Sequence, residues 1–327
     1  MSGTETSERR APIPPATDPA ARDRPAAAPG QATAADAAPV GEPPVFVIGT
    51  GRCGSTVLYD ILSKHPNASW LSQLCQRYPH RPALNARAMR ALDLPVVSRL
   101  ARRYLYADEA YRFWERICPG FSAPCRDLRG EDVTPRVRRA VRDAFAQATA
   151  PSRPHLLLKI TGWPRIRFLR EIFPGAKFVH VYRDGRSVVY SGLQVPWFSA
   201  WRGPAQWNWG ELSAAHREKW ERSGRDFIVL GAIVWEMLMD ATEAAKAGLP
   251  ATDFMELSYE DLCADPVAQL RRVVGFAGLR WTAEFEAGVR GAGLRSTNEK
   301  WRQELTPLQQ DRLEGTIRGT LERYGYC

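Results

Sequence analysis

Short apolar runs alternate with helical patterns along most of the chain. Residues 45–48 form an uninterrupted apolar run followed at once by glycine, which is typical of a strand buried on both faces. Runs of the same kind at residues 155–160, 177–182 and 253–258 predict three more strands. Helical patterns lie between them, so we predict an α/β fold with a parallel sheet covered by helices on both faces.

Local start signals predict where several helices begin. Thr134 and Thr306 each precede a proline, a good helix start. Asp265 precedes another proline and predicts a third start. Helices are further predicted at residues 55–63, 97–106, 109–117, 164–173 and 185–193, and up to about residue 247.

The first forty or so residues have a different composition. They are dominated by Ala, Pro and Thr with scattered charges and almost no large apolar side chains. Such a segment cannot bury enough surface to offset its ordering entropy. We therefore predict a disordered tail over residues 1–43 and a single domain over residues 44–327. No apolar h-region follows the start, unlike in a signal peptide.

Charge and cysteine content narrow the classes of partner and location. The 327 residues carry a formal net charge of +9, which predicts attraction to anions. The basic residues are spread along the chain without a nucleic-acid motif, so we expect an anionic small molecule and no nucleic acid. No apolar stretch approaches the ~18 residues of a membrane span. The six cysteines do not have the spacing of zinc ligands, so we expect free thiols in a cytoplasmic protein. The sequence leaves open whether the chain forms a homodimer.

The first strand leads into a turn with the chemistry of an anion site. Residues 49–56 read Gly-Thr-Gly-Arg-Cys-Gly-Ser-Thr, and glycines let backbone N–H groups turn toward an anion at a helix N-terminus. Arg52 adds a fixed charge, while Ser55 and Thr56 add hydroxyl groups. The turn is almost a P-loop, but Ser55 occupies the position of the P-loop lysine, which disfavours an ordinary ATP or GTP hydrolase.

A second turn, Arg-Asp-Gly-Arg, begins at Arg183 after the strand at residues 177–182. With these two turns the chain resembles the sulfotransferase family that uses 3′-phosphoadenosine 5′-phosphosulfate (PAPS). The likeness is to the bacterial small-molecule or carbohydrate type. It implies that Arg183 and Ser191, eight residues apart, hold the 3′-phosphate. It also implies that the 5′-phosphosulfate is bound by Gly51, Arg52, Cys53, Gly54, Ser55 and Thr56.

Two later segments resemble further donor-binding elements of that family. Tyr259 corresponds to a tyrosine near the adenine, where stacking is worth ~1–3 kcal/mol; a core tyrosine is the alternative. Residues 294–302 resemble the loop that closes over the 3′-phosphate, although the family's usual glycine is absent. The resemblance implies contacts from Arg295, Ser296 and Lys300.

The resemblance implies in-line sulfuryl transfer without a metal ion. A sulfuryl group carries less charge than a terminal phosphoryl group, so fixed cations can replace Mg²⁺. Arg52 is expected to stabilise the leaving phosphate oxygen. Lys159, at the end of a predicted strand, is expected to be a second cation; an exposed strand-end lysine is the alternative.

The general base is not evident from the sequence. Many members of the family have a glutamate after the first helix, where this chain has Gln73, and an amide cannot accept the proton. Either another residue serves, with His80 as the first substitute, or the acceptor ionises easily, as a phenol, N-hydroxyl or amine does. A surface role is the alternative for His80, and we expect Gln73 to contact the acceptor.

Residues 194–210 contain four tryptophans among Pro, Gly and Ser. Clustered aromatic residues in such a loop often build a binding surface. We expect Trp197, Trp201 and Trp207 to form a wall for a sugar, an aromatic ring or an apolar natural product, with core packing as the alternative for each.

The favoured function is a PAPS-dependent sulfotransferase. A kinase with an altered P-loop is one rival, and it would require ATP and Mg²⁺. A non-catalytic nucleotide- or polyanion-binding protein is the other, and Gln73 is its best support.

Overall fold

A computed structural model describes residues 42–94, 97, 103–122, 126–196, 198, 200–207 and 209–327. The predicted disordered tail lies outside these residues except for its last two positions. Half of the predicted helix at residues 97–106, namely residues 98–102, also lies outside them.

Within the described residues, five parallel strands form one sheet. They are β1 (Val45–Gly49), β2 (Ala68–Ser69), β3 (His155–Thr161), β4 (Lys177–Tyr182) and β5 (Phe254–Ser258). Their order is β2-β3-β1-β4-β5, so the predicted parallel α/β fold is confirmed. The edge strand β2 was not predicted, because two residues are too few to leave a pattern.

Helices pack on both faces of this sheet. In chain order they are α1 (Ser55–Leu62), α2 (Gln73–Arg77), α3 (Ala83–Ala91), α4 (Tyr111–Ile117), α5 (Pro135–Ala148), α6 (Ile166–Ile172), α7 (Gly185–Leu193), α8 (Ala214–Arg222), α9 (Phe227–Lys246), α10 (Tyr259–Ala264), α11 (Pro266–Phe276), α12 (Ala283–Arg290), α13 (Lys300–Glu304) and α14 (Pro307–Arg323). Across the described ranges, none of them has the length and apolar character needed to cross a membrane.

Side-chain caps account for the predicted helix starts. The Thr134 hydroxyl accepts a hydrogen bond from the N–H of Val137 at 3.2 Å. Thr306 and Gln309 form a capping box at the start of α14. Strand β4 and helix α7 have the predicted bounds, whereas β5 begins one residue late because Ala251–Asp253 is a 3₁₀ turn.

Alternate strand residues face two different apolar cores. Phe46 and Ile48 of β1 belong to one core, and Val45 and Val47 belong to the other, with α1. All four are buried, which explains the uninterrupted apolar run. The register pairs Val47 with Lys159 of β3, so the alternation directs the Lys159 side chain toward α1.

Candidate active site

The turn between β1 and α1 is shaped by left-handed backbone angles and close packing. Gly51, Arg52 and Gly54 have φ angles of 80°, 56° and 93°. A Cβ atom at position 54 would lie 2.3 Å from a ring carbon of Tyr259, so the site requires glycine. The Cys53 side chain is buried in the core, and only its backbone can serve an anion.

Arg52, Arg183 and Ser191 meet beside this turn. The Arg52 Nε donates a hydrogen bond to Ser191 Oγ at 3.0 Å. Arg183 donates from Nη1 to the backbone carbonyl of Arg52, also at 3.0 Å. The two loops that the sequence singled out therefore touch, because they follow the adjacent strands β1 and β4 at the same edge of the sheet.

Arg183 is only 7% exposed, and no carboxylate lies within ion-pair distance of it among the described residues. Its Nε donates to Asn298 Oδ1 at 2.8 Å and its Nη2 to Thr297 Oγ1 at 3.0 Å. The guanidinium carbon lies 4.5 Å from the ring centre of Tyr259. A nearly buried cation without an opposing charge is unfavourable, so this geometry calls for an anionic ligand.

The loop after α12 reaches Arg183 through residues that the sequence analysis missed. Thr297 and Asn298 make the contacts, whereas Arg295, Ser296 and Lys300 are exposed and make no hydrogen bond to Arg183. The segment was identified by its resemblance to a loop of the family. Which of them turn inward depends on the loop backbone, and the sequence pattern does not determine that.

Glu260 fixes this loop from behind. Its Oε1 accepts hydrogen bonds from the backbone N–H of Asp184 at 3.1 Å and from Asn298 Nδ2 at 2.5 Å. Its Oε2 accepts a hydrogen bond from the Tyr326 hydroxyl at 2.8 Å. One carboxylate therefore joins the start of α7, the loop after α12 and the C-terminal residues around the guanidinium of Arg183.

Lys159 approaches the turn from β3. Its Nζ donates to Thr56 Oγ1 at 2.8 Å and lies 2.9 Å from Glu109 Oε1. Lys159 is buried, and the Glu109 side chain is 17% exposed. The strand-end lysine therefore points into the site and not into open solvent, and its charge is balanced by Glu109.

Sequence reasoning did not identify Glu109. The residue precedes α4, and its position is set by Thr161, whose hydroxyl donates to Glu109 Oε2 at 3.0 Å. A contact between residues 52 positions apart leaves no signal in a single sequence. Within the described ranges, no group of three or more His, Cys, Asp or Glu residues is arranged to hold a metal ion.

A cleft of about 1000 Å³ opens beside Lys159 and Thr56. Its lining combines aromatic groups with carboxylates, which suits a small molecule with an apolar body and a few polar groups. The aromatic lining residues are Tyr106, Tyr111, Trp163 and Trp209, and the carboxylates are Asp60, Asp108 and Glu109.

Desolvation by the surrounding protein raises the pKa of two groups in the cleft. Desolvation raises the pKa of Asp60, and the ammonium group of Lys159 opposes that shift. Desolvation and the nearby Glu109 carboxylate raise the pKa of Tyr111. The Tyr111 hydroxyl donates to the backbone carbonyl of Thr161 at 2.7 Å, so it acts as a fixed donor.

Gln73 and His80 do not line this cleft. The Gln73 amide donates to the carbonyl of Tyr104 at 2.5 Å and accepts from the N–H of Tyr106 at 3.0 Å, so it supports the backbone. His80 is exposed and lines a separate surface depression with Arg136. The structure therefore does not bring the expected base or the expected acceptor contact to Lys159.

The tryptophan-rich segment contributes a different residue from those expected. Trp209 lines the cleft and packs on Gly162, where a Cβ atom would lie 3.3 Å from the indole. Trp207 is buried and Trp201 is 70% exposed, and neither lines the cleft. Trp197 lies outside the described residues.

Comparison with known proteins gives one family. The model of the sulfotransferase family matches residues 43–283. The omega-hydroxy-beta-dihydromenaquinone-9 sulfotransferases Stf3 of Mycobacterium bovis and Mycobacterium tuberculosis are 26% identical to this chain over 273 residues, which cover 73% of this chain and 64% of theirs. The chain thus spans just under two thirds of the length of these relatives. Sulfotransferase STF9 from Mycobacterium avium has a similar fold, with a TM-score of 0.56, 20% identity and coverage of 88% of this chain and 77% of that chain.

Proposed function

The chain belongs to the sulfotransferase family, and we propose that it transfers the sulfuryl group of PAPS to a hydroxyl group of a small-molecule acceptor. The observation that carries the proposal is Arg183, a nearly buried guanidinium with no carboxylate partner among the described residues. An anionic donor with two phosphate groups supplies the missing charge.

The residues around the turn fit such a donor. Arg183 and Ser191, which both contact Arg52, offer a guanidinium and a hydroxyl donor that suit the 3′-phosphate. The backbone of the turn from Gly51 to Thr56 and the N-terminus of α1 suit the 5′-phosphosulfate. Thr297 and Asn298 hold the Arg183 side chain, while the exposed Arg295, Ser296 and Lys300 are proposed to approach the donor from solvent.

Tyr259 has two roles in this proposal. Its ring fills the space beside Gly54 and lies under the Arg183 guanidinium, so it is already packed on two sides. We propose that a remaining edge borders the adenine, which makes stacking a smaller contribution than the resemblance alone implied.

PAPS supplies the activated sulfuryl group, and fixed cations supply the electrostatic stabilisation. Lys159, held by Thr56 and Glu109, is proposed to stabilise the charge that develops on the leaving phosphate oxygen, together with Arg52. Such preorganised charges lose no reorganisation energy during the reaction. No metal ion is part of the proposal.

The cleft beside Lys159 is proposed as the acceptor site. Its aromatic lining, including Trp163 and Trp209, suits an apolar ring or chain. The Stf3 relatives are named for a hydroxylated menaquinone, which supports a hydroxyl acceptor on an apolar natural product. Free thiols at Cys53, Cys75 and Cys118 support a reducing cytoplasmic location.

A melting-temperature experiment tests the proposal. The protein is heated with adenosine 3′,5′-bisphosphate (PAP), the product of PAPS, and separately with ATP plus Mg²⁺ at equal concentration. A ligand that binds the folded state raises the melting temperature, and we expect a rise with PAP alone. A rise only with ATP and Mg²⁺ indicates a kinase, and PAP binding without turnover of PAPS indicates a binding protein.

A further inference from the structure

We propose that Glu109 is the general base that takes the proton of the acceptor hydroxyl. The inference rests on the proposed function and deepens it, because it concerns how the same site activates its acceptor. His80, the substitute base that the sequence suggested, does not line the acceptor cleft, and neither does Gln73, which occupies the position of the glutamate found in many members of the family.

Fixed donors orient the Glu109 carboxylate. Its Oε1 lies 2.9 Å from Lys159 Nζ, and the Thr161 hydroxyl donates to both carboxylate oxygens, at 3.1 Å to Oε1 and 3.0 Å to Oε2. Its Oε2 also accepts from the Thr161 backbone N–H at 3.4 Å, so three donor groups contact the carboxylate. The side chain keeps 17% of its surface and lines the cleft. A carboxylate has about four lone-pair directions, so an acceptor hydroxyl can still donate to it.

Gln73 explains how Glu109 reaches this position. Its amide clamps the backbone at Tyr104 and Tyr106, and the N–H of Asp108 donates to the carbonyl of Leu71 at 2.8 Å. These bonds fasten residues 104–108 to the segment from Leu71 to Gln73, which follows β2. Gln73 is therefore a positioning residue for the segment that delivers the carboxylate.

Other polar groups of the cleft are less suited to the task. Asp108 Oδ1 is occupied by the N–H of Ala110 at 2.6 Å. Asp60 is exposed on α1 and forms no hydrogen bond or ion pair with Lys159. Tyr111 acts as a donor to a backbone carbonyl, so Glu109 is the carboxylate that lies next to the proposed cation.

The pairing of Glu109 with Lys159 couples proton removal to bond cleavage. Lys159 uses two N–H groups on Thr56 and Glu109, and its third has no hydrogen-bond partner among the residues that the structure describes. As the acceptor oxygen bonds to sulfur, Glu109 accepts the hydroxyl proton. The sulfur–oxygen bond to phosphate breaks, and Lys159 stabilises the electron pair left on the phosphate oxygen.

The class of acceptor follows from this assignment. A site with its own carboxylate base can use an alcohol or a phenol that is neutral in solution. It does not need an acceptor that ionises before binding, which was the alternative when Gln73 left the site without a base.

The test compares Glu109→Gln with Glu131→Gln, a charge-matched change at an exposed residue that does not line the cleft. PAP affinity is measured by calorimetry. Turnover is followed as PAP release from PAPS with 2-naphthol, with 4-nitrophenol at a mildly alkaline pH that ionises it, and with water alone. We expect Glu109→Gln to bind PAP as tightly as the wild type or more tightly, since a negative charge next to Lys159 is removed.

We also expect Glu109→Gln to slow PAP release with 2-naphthol by about 10²–10⁴-fold, the usual contribution of a general base, and with ionised 4-nitrophenol by much less. If neither phenol is accepted, the same slowing must appear in the reaction with water. Equal losses with both phenols, an unchanged rate, or weakened PAP binding would each overturn the assignment. Wild-type protein that neither binds PAP nor releases it from PAPS would overturn the proposed function instead.

Discussion

Arg52 and Ser191 share a hydrogen bond of 3.0 Å although 139 positions separate them. The bond joins the turn after β1 to the helix after β4, and the guanidinium of Arg183 reinforces it through the Arg52 carbonyl. A substitution in the turn after β1 is therefore expected to affect the part of the donor site after β4 as well, and the reverse.

Arg183→Ala should weaken PAP binding by about 10- to 100-fold, since a hydrogen bond to a charged group is worth about 1.5–3 kcal/mol. Arg52→Ala should reduce the rate of transfer by a larger factor than it reduces PAP affinity. Calorimetry with PAP and turnover of PAPS separate the two effects. Arg139→Ala, which removes the same charge from an exposed position, is the control, and small, equal effects of the Arg52 and Arg183 variants would contradict the site.

Gly54→Ala should destabilise the protein by about 2–5 kcal/mol. The new methyl group would lie 2.3 Å from the Tyr259 ring, and the residue must keep a φ of 93°, so overpacking and backbone strain add. Urea unfolding measures the loss. Gly248→Ala introduces a methyl group with no atom within 4 Å and should change stability by less than about 0.5 kcal/mol; equal values for the two variants would refute the packing argument.

Trp209→Ala should raise the KM for an aromatic acceptor such as 2-naphthol by a larger factor than it weakens PAP binding. The indole lines the cleft with Lys159 and packs on Gly162, and it borders the donor turn only through a small pocket beside Gly51 and Arg52. The loss of one aromatic contact predicts about a 3- to 10-fold effect. Trp201→Ala removes an indole that is 70% exposed and outside the cleft, and it should leave the KM unchanged. A larger increase in the KM for Trp201→Ala than for Trp209→Ala would place the acceptor site next to Trp201 and not in the cleft.

Cys75 should make stability fall at alkaline pH. Burial raises the pKa of the Cys75 thiol from 9.0 to about 12. Its stabilising contribution is therefore complete below pH 9 and is lost as the pH rises toward 12, where only the unfolded chain ionises at first. The difference in unfolding free energy between wild type and Cys75→Ala should shrink between about pH 9 and about pH 12; parallel curves would show that Cys75 does not contribute.

Strands and helix starts were predictable because they depend on short local patterns. The strand at Lys177–Tyr182 and the helix at Gly185–Leu193 follow from an apolar run and the helical pattern after it. The resemblance assigned Arg52, Arg183 and Ser191 to the same donor, and they meet because parallel strands present their carboxyl ends at one edge of the sheet.

Contacts made by irregular segments were not predictable. Glu109 faces Lys159 because Gln73 fastens an intervening loop, and Thr297, not Arg295, reaches Arg183 because of the loop's backbone path. Neither relationship leaves a periodic pattern or fixed spacing. His80 was favoured for its side-chain chemistry alone, and its distance from the cleft could not be read from neighbouring residues.

The hydrogen bond from Tyr326 to Glu260 has a practical consequence for handling the protein. Tyr326 lies next to Cys327, so an affinity tag fused after Cys327 is expected to disturb the hydrogen bond from Tyr326 to Glu260. The Glu260 carboxylate also binds Asn298. Purification from the amino-terminal side avoids this linkage, and binding data from the two tag placements are not interchangeable.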